Sequence, residues 1–466
     1  MPVELVLPSL FLEQLRESGG AAIADLLLQA ADVDDAELLE TLASAVYERS
    51  WEKLHCGRWK DVLPVWRQAF GFASFLQAKC LLQHEQPLKC LKMLDMCLMM
   101  AGPFAPPETP KLINEVEKQI INAGQLLKPR LDDEMLSIGD EMVAQRPQLK
   151  FPVQRMEMPT LEFFRHHMTF GNSEPVILTG AMEFWPALGR AAGPDRAWKN
   201  VTYLRRVAGL RTVPVEVGSS YMGDDWGQEL MTLNEFLNRH IIPLLAKNKS
   251  VTSIDDTRSH PSLSKKVGYL AQHRLFDQIP ALRRDIIVPD YCTVQRVDDA
   301  QDEEDEDITI NCWFGPGGTV SPLHFDPKDN LLCQVVGTKY VRLYAQEESE
   351  KLYPTEGLLS NTSQVQVEDL DDEKFPQFCH AKYLECVLHE GEMLYIPLKC
   401  WHYVKSLSTS YSQIRCREHI ARVGNLRRLL LRTSKGTEDK ALDGMCMWLK
   451  QEVQDDLVLP DEEDIR

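Results

Sequence analysis

The sequence predicts an α+β protein in which an all-helical N-terminal domain precedes a β-rich domain. Apolar residues recur at helical spacing in the first part of the chain, as in Leu38, Leu42 and Val46. Between Ile308 and Tyr411, short apolar runs alternate with Gly and Pro turns, which is typical of an antiparallel barrel or sandwich. A length of 466 residues suits two or three such domains.

The N-terminal region is predicted to form a helical domain over residues 1–124. Asp34 and Asp35 precede one of the periodic segments and are suitable N-cap residues. Trp51, Trp59 and Trp66 lie among these segments, and such spacing is more typical of a buried core than of a ligand cage. We therefore expect a packed helical unit whose role in docking partners is only a hypothesis.

Composition sets the remaining domain boundaries. Residues 125–157 carry several prolines and mixed charges without clean periodicity, so we interpret them as a linker. The β-rich domain is predicted over 158–412, with a surface insertion at 243–266 that is rich in Lys, Ser and Asp. Residues 413–466 form a divergent C-terminal tail, which begins with basic residues and ends with acidic ones.

The charge balance points to a basic partner. The net charge is -19, and affinity for nucleic acid depends largely on Lys and Arg side chains that neutralise phosphates. Direct binding of nucleic acid is therefore not expected, whereas a basic protein or peptide suits the chain. The acidic run at 302–307 is interpreted as a solvated loop, with steering of a cationic substrate as the alternative.

Other features predict an intracellular, membrane-free protein. The twelve cysteines include no Cys-x-x-Cys pair, so reduced thiols are expected rather than a disulfide framework or a zinc ribbon. The N-terminal run lacks the basic start and long apolar core of a signal peptide. No apolar stretch reaches transmembrane length. We expect the protein in the nucleus, with the cytoplasm as a second location.

A candidate metal site lies in the β-rich region. His324 and Asp326 are two residues apart in an extended segment, so both side chains can point to one centre. His402, in a second strand-like run, can supply a third ligand. Two histidines and one carboxylate leave coordination positions open, as non-haem Fe(II) oxygenases require. The His-x-Asp pair by itself is weak evidence for such a site.

The residues around these ligands strengthen the interpretation. Four motifs carry it: Thr-Ile-Asn-Cys-Trp-Phe-Gly-Pro at 309–316, Ser-Pro-Leu-His-x-Asp-Pro-x-x-Asn at 321–330, Gly-x-Lys-Tyr-x-Arg-Leu-Tyr at 337–344 and Tyr-Ile-Pro-x-x-x-Trp-His-Tyr-Val at 395–404. In these motifs the chain resembles the jumonji-C (JmjC) family of Fe(II)- and 2-oxoglutarate-dependent oxygenases. The resemblance implies that the catalytic domain is a JmjC double-stranded β-helix, a jelly-roll or cupin-like fold.

The resemblance also implies roles for individual residues. The residues that match the Fe(II) ligands and catalytic centre are His324, Asp326 and His402. Those that match the family's 2-oxoglutarate contacts are Tyr291, Ser321, Asn330 and Lys339. A buried lysine requires an anionic partner, and a carboxylate of the cosubstrate would supply one. The implied reaction consumes O2, decarboxylates 2-oxoglutarate to succinate and oxidises an unactivated C–H bond.

Substrate choice is left open between two reactions. Glu216, Tyr221 and Trp313 match substrate-pocket positions. A carboxylate can pair with a guanidinium and an aromatic face can stack on it, so these residues favour C3 hydroxylation of arginyl residues in basic proteins. The alternative is demethylation of methyl-lysine in histone tails, although a methylammonium cage would need several aromatic residues.

The chain departs from the family after Ser412. The family pattern continues into an aromatic-rich last strand, whereas this chain changes to Gln413-Ile-Arg-Cys-Arg. We therefore expect the last barrel strand to be missing, its sequence having been replaced. A third hypothesis follows from that expectation, namely a catalytically impaired JmjC scaffold that recruits partners.

Overall fold

The computed structural model describes residues 5–33, 35–56, 62–124, 137–139, 147–170, 174–218, 226–243, 245, 267–294 and 308–417, the last five by their backbone alone. The chain divides into two compact units. The described part of the first unit comprises residues up to 124 and Leu210–Val213. The second unit contains the remaining described residues. Each unit has its own buried apolar side chains.

The first unit is helical, as predicted. Its helices are α1 (Ser9–Leu15), α2 (Ala21–Asp32), α3 (Ala36–Leu54), α4 (Pro64–Gln83), α5 (Pro87–Ala101) and α6 (Thr109–Asn122). A π-helical turn at Arg16–Gly20 joins the first two helices. The carboxylate of Asp35 accepts a hydrogen bond from the Leu38 amide, which confirms the predicted N-cap. Trp66 is buried in the core, and Trp51 is partly buried.

The second unit is dominated by β-structure. Its strands are β1 (Gln154–Glu157), β2 (Val176–Thr179), β3 (Thr212–Gly218), β4 (Gly227–Thr232), β5 (Val267–His273), β6 (Ile308–Gly315), β7 (Val320–Phe325), β8 (Asn330–Val336), β9 (Lys339–Tyr344), β10 (Tyr383–Leu388), β11 (Met393–Ile396), β12 (Trp401–Ser406) and β13 (Ser410–Arg417). β3 begins in the segment that clusters with the helical unit. β1 starts four residues before the predicted boundary at 158.

These strands form two sheets that create the double-stranded β-helix. The larger sheet has the order β1-β2-β11-β8-β13-β6-β5-β3-β4, and the smaller has the order β10-β9-β12-β7. Of the eight strands from β6 to β13, four lie in each sheet, and successive strands change sheet except at the β9–β10 connection, as in a jelly roll. An apolar cluster that includes Leu332, Val341, Leu394 and Val404 lies between the sheets. This topology confirms the predicted fold class.

The expectation that the last barrel strand is missing was wrong. The backbone of residues 410–417 forms β13, which pairs with β6 on one side and with β8 on the other. Strand pairing depends on main-chain N–H and C=O groups, which every non-proline residue supplies. Replacing aromatic residues by others therefore changes the side chains of this strand without removing it from the sheet.

Short helices connect the strands of the second unit. They are α7 (Leu161–Phe170), α8 (Val201–Ala208), α9 (Leu233–Phe236), α10 (Leu275–Gln278) and α11 (Pro280–Arg283). α9 begins with a capping box between Thr232 and Glu235, and a π-helical turn at Leu237–Ile241 follows it. None of the helices in the described ranges has the length and apolarity needed to cross a bilayer.

Several predicted features lie outside the described residues. They include most of the linker, the acidic run at 302–307, Asp34, Trp59, Tyr221, the greater part of the insertion at 243–266, and residues 418–466 of the tail. Within the predicted linker, Ser137 forms a β-bridge with Asn200, and the Ile138 amide donates to the carbonyl of Lys199. This short segment is thus attached to the second unit.

Candidate metal centre and cosubstrate pocket

The three predicted metal ligands converge at one end of the smaller sheet. His324 on β7 and His402 on β12 lie directly opposite each other in the antiparallel ladder, with ring centroids 4.2 Å apart. Asp326 follows β7 by one residue. One candidate ligand atom from each side chain lies within 4.8 Å of the other two. The fold therefore brings together residues that are far apart in sequence.

Backbone carbonyls fix the tautomers of both histidines. Nδ1 of His324 lies 2.7 Å from the carbonyl oxygen of Pro322, and Nδ1 of His402 lies 3.0 Å from that of Cys400. A carbonyl can only accept, so each Nδ1 carries the proton and donates it. In the neutral form of such an imidazole, Nε2 carries the lone pair that can bind a metal. Histidines that bind metals are commonly oriented by a hydrogen bond from the ring nitrogen that does not bind the metal.

His402 has the properties of a metal ligand. Its side chain is 1 % exposed, and its buried Nε2 has no hydrogen-bond partner. Burial, reinforced by the neighbouring His324, lowers the pKa of His402 to about 4, although Asp326 opposes this shift. The imidazole is therefore neutral near pH 7, so its contact with Asp326 at 3.7 Å is not an ion pair. A divalent cation would satisfy both groups.

Asn330 lies beside the metal ligands. Its Nδ2 donates to Oδ2 of Asp326 over 2.5 Å. The backbone carbonyl of Asp326 also accepts a hydrogen bond from the Lys399 amide. These two bonds hold the carboxylate and its backbone in place. The structure thus places this predicted cosubstrate residue where it orients a metal ligand.

Lys339 on β9 is a buried basic residue of the barrel. Its side chain is 2 % exposed, and its Nζ donates to the hydroxyl of Tyr269 over 3.3 Å. The hydroxyl of Ser321 also hydrogen-bonds to this phenol. Burial lowers the pKa of Lys339 to about 7. Because burial disfavours its charged form, the ammonium group provides a site for an anion such as a carboxylate.

Tyr291 does not join this group. Its hydroxyl donates to the carbonyl of Pro159 over 2.6 Å, and its ring packs edge-on against Phe164. Tyr269 on β5, and not the predicted cosubstrate residue Tyr291, is the tyrosine that contacts Lys339. Tyr291 lies in a 3-10 turn at Asp290–Thr293, outside both sheets, whereas Tyr269 is on β5, which pairs with β3 and β6.

The predicted substrate residues are placed separately. Glu216 on β3 is partly buried, and its Oε2 accepts a hydrogen bond from Nε1 of Trp226 over 3.3 Å. Trp313 on β6 is partly buried and packs against the apolar cluster inside the barrel. Glu216 is also the ladder partner of Tyr269, so the substrate and cosubstrate residues meet at β5.

Sequence reasoning missed Tyr269 and Trp226. Both lie in or next to strands that the sequence reveals only as short extended runs. The available signal was the row Gly268-Tyr-Leu-Ala-Gln-His, in which alternate side chains must face the same side. Without the register of β5, that row does not show which side faces the lysine.

Fold and site together define a class of protein. A double-stranded β-helix that carries two histidines and one carboxylate at its mouth and a buried lysine inside is the arrangement of a 2-oxoglutarate-dependent oxygenase of the cupin type.

Comparisons with known proteins identify the family. The Cupin-like domain model matches residues 160–421, and the model of KDM8-like, N-terminal ARM repeats matches residues 5–132. Lysine-specific demethylase 8 of Danio rerio is 40% identical over 377 residues, covering 79% of this chain and 85% of that protein. Lysine-specific demethylase JMJ30 of Arabidopsis thaliana is 36% identical over 436 residues, covering 86% and 90%. Jumonji C domain-containing protein 5 of Drosophila melanogaster is 32% identical over 403 residues, covering 84% and 90%.

The chain therefore belongs to the JmjC family of 2-oxoglutarate-dependent oxygenases, in the group that joins a KDM8-like ARM N-terminal region to a cupin-like domain. It is an enzyme of the oxygenase and demethylase class. Members of this family generally use Fe(II) and 2-oxoglutarate, and the His324, Asp326 and His402 site fits that requirement.

Proposed function

We propose that this enzyme hydroxylates arginyl side chains of basic proteins at C3. The observation that carries the proposal is the pairing of Glu216 with Trp226, which presents a carboxylate beside an indole. A guanidinium is planar, is always charged, pairs with carboxylates and stacks on aromatic faces. The net charge of -19 suits a basic protein partner.

The residues of this chain have distinct tasks in that reaction. His324, Asp326 and His402 would hold Fe(II), and Asn330 keeps the Asp326 carboxylate in position. Lys339 and the hydroxyls of Tyr269 and Ser321 would bind the distal carboxylate of 2-oxoglutarate. Glu216 would orient the arginyl side chain. When bound, the iron and its cosubstrates supply the oxidation that inserts one oxygen atom into a C–H bond.

Demethylation of methyl-lysine is the second candidate. It is favoured by the relatives from Danio rerio and Arabidopsis thaliana, which are named lysine-specific demethylases. A methylammonium group binds best between several aromatic faces. Among the described residues, Trp313 is an aromatic side chain at a predicted substrate position, and Trp226 is one that contacts such a position, Glu216.

Mass spectrometry separates the two reactions. Basic peptides that carry either unmodified arginine or methylated lysine are incubated with Fe(II), 2-oxoglutarate and the full-length protein. We expect one added oxygen on arginine, with no product from the His324→Ala variant. Loss of a methyl group from lysine, without oxygen on arginine, would replace the hydroxylase proposal by the demethylase one.

A substitution at Glu216 tests the carboxylate itself. Glu216→Gln keeps the size of the side chain and removes its charge. Losing a charge-assisted hydrogen bond costs about 1.5–3 kcal/mol, so kcat/KM for the arginine peptide should fall by about 10- to 100-fold. An unchanged kcat/KM would show that another group holds the arginyl side chain.

A further inference from the structure

The strand that carries His324 is hydrogen-bonded on both of its sides. β7 is the end strand of the smaller sheet, next to β12. Its outer side is covered by residues 361–363, which form a β-bridge in which Thr362 lies opposite His324. The Ser363 amide also donates to the carbonyl of Leu323 over 2.8 Å. Main-chain hydrogen bonds therefore hold this strand on the side that faces away from β12.

Asn361 makes two hydrogen bonds to a single residue, Phe325, which lies between the ligands His324 and Asp326. The carbonyl of Asn361 accepts from the Phe325 amide over 2.9 Å. Nδ2 of the Asn361 side chain donates to the Phe325 carbonyl over 3.1 Å. The amide belongs to the peptide unit after His324, and the carbonyl belongs to the peptide unit before Asp326. Asn361 therefore holds both of the peptide units that separate the two ligands.

The direction of the Asp326 side chain depends on the peptide unit before it. A peptide unit is planar, so a rotation of this unit changes the backbone dihedral angles of Phe325 and Asp326. The other contacts of Asp326 act on different atoms, because Asn330 donates to its carboxylate and the Lys399 amide donates to its own carbonyl. Asn361 thus supplies the restraint on the N-terminal side of this ligand.

The segment that provides this restraint is itself held in place. Asn361 is 6 % exposed, so its side-chain amide has little access to water. On the side away from β7, the Thr355 amide donates to the carbonyl of Thr362 over 2.8 Å, and the Gln364 amide donates to that of Tyr353 over 2.9 Å. A side chain that is fixed by its surroundings can hold a metal ligand precisely.

We propose that Asn361 is a positioning residue of the metal centre. By holding the two peptide units between His324 and Asp326, it sets the separation and the direction of these ligands and thereby strengthens binding of a divalent cation. Loss of a hydrogen-bond partner that orients metal ligands typically weakens metal binding by about 10- to 100-fold. The inference concerns the metal centre alone, so it holds whichever C–H bond the enzyme oxidises.

The test measures metal binding without turnover. Mn(II) is titrated into the full-length, metal-free protein, and free Mn(II) is followed by its electron paramagnetic resonance signal. In Asn361→Ala the Kd of Mn(II) should rise at least about fivefold, because the peptide unit before Asp326 loses its side-chain donor. Asn361→Leu also lacks the donor but keeps a branched side chain in the same place. It should weaken binding by the same factor within about twofold, which separates the hydrogen bond from the effect of a cavity.

Asn200→Ala is the matched control. It removes a hydrogen bond of the same kind, in which the Tyr203 amide donates to Oδ1 of Asn200 at the start of α8. The loss costs about 1 kcal/mol of stability, and the Kd of Mn(II) should stay within about twofold of the wild type. The visible absorption of the Co(II)-loaded proteins is the second readout, because it depends on the geometry of the ligands. It should change in both Asn361 variants and stay unchanged in Asn200→Ala.

Each outcome decides the inference. A rise of the Kd by less than about fivefold in the Asn361 variants would overturn it, as would an equal rise in Asn200→Ala or an unchanged Co(II) spectrum. If Asn361→Ala alone binds Mn(II) more weakly, the cavity is responsible and the inference fails. Should one of the two Asn361 variants fail to fold, the other decides. If the wild type binds no Mn(II), the metal centre and the proposed function fail together with this inference.

Discussion

Burial of Lys339 creates a binding site for an anion, because a buried ammonium group needs a partner of opposite charge. An ammonium group that is 2 % exposed has lost most of its hydration, and the hydroxyl of Tyr269 replaces only part of it. Burial of a charge is costly unless the charge is paired. The fold therefore holds this lysine in a state that an anionic ligand stabilises.

Replacing Lys339 by methionine should remove the effect of the cosubstrate on stability. Methionine keeps much of the side-chain volume but cannot pair with a carboxylate. At 100 times its Kd, 2-oxoglutarate should stabilise the Mn(II)-loaded wild type by about 2.7 kcal/mol, because it binds only the native state. Thermal unfolding should show no such increase for Lys339→Met. A Tm that rises equally in both proteins would place the cosubstrate elsewhere.

The same residue predicts a dependence of stability on pH. The pKa of Lys339 falls from its ordinary value of 10.5 to about 7 in the folded protein. Between these values the unfolded state binds more protons, so the contribution of Lys339 to the free energy of unfolding becomes less unfavourable as pH rises. Without cosubstrate, Lys339→Met should therefore exceed the wild type in stability at about pH 7, by a margin that shrinks towards about pH 10.

Urea unfolding of both proteins over this pH range measures the margin directly. Groups that do not interact with Lys339 titrate alike in the two proteins, so their contributions cancel in the difference. A margin that stays constant with pH would show that Lys339 keeps its ordinary pKa when buried.

At the scale of single strands, Gly315 determines where the pocket tyrosine lies. It ends β6, and an added Cβ would meet the ring of Tyr269 at 2.5 Å. Gly315→Ala should therefore displace the ring and abolish most of the stabilisation by 2-oxoglutarate in a protein that still folds. Gly227→Ala is the control, because open space surrounds that glycine. If 2-oxoglutarate raises the Tm of the two variants equally, this account of the pocket is contradicted.

The last strand is the element on which the barrel depends. β13 lies between β6 and β8; residues 413–416 pair on both sides, and Arg417 pairs with β6. A chain that ends at Ser412 would leave both neighbours with unpaired main-chain groups, each lost hydrogen bond costing about 1 kcal/mol. We expect this truncation to melt far below a chain that ends at Arg417. Equal melting temperatures would mean that the strand contributes nothing to the fold.

At the scale of the whole molecule, net charge governs encounter with the substrate. The charge of -19 attracts a basic peptide over a distance that salt shortens to about 10 Å at 0.1 M. The described surface includes exposed acidic residues at 368, 369 and 371–373. Raising the ionic strength from about 0.05 to about 0.5 M should increase KM for a basic peptide several-fold and leave kcat nearly unchanged.

Two controls accompany the salt titration. The Tm should stay nearly constant over the same range, which separates weaker encounter from loss of structure. A peptide of low net charge should show little change in KM. A fall in kcat with constant KM would show instead that salt affects the chemical step or product release.

Much of this protein follows from its sequence. Helical periodicity predicted the N-terminal unit, and the alternation of short apolar runs with turns predicted the β-rich domain, because each pattern reflects a backbone period. His324 and Asp326 were identifiable as neighbours because residues two apart in a strand share a face. Motif resemblance added the family, which the comparisons bear out.

The tertiary structure decided what depends on strand register. A shift of one residue turns every side chain of a strand to the other face, and sequence spacing does not reveal the register between distant strands. The pairing of β5 placed Tyr269 in the barrel, where it contacts Lys339, and it set Glu216 opposite that tyrosine, whereas Tyr291 lies in a turn outside the sheets. Strand pairing also kept residues 410–417 as the last barrel strand, because main-chain pairing does not require the aromatic side chains that the sequence lacks.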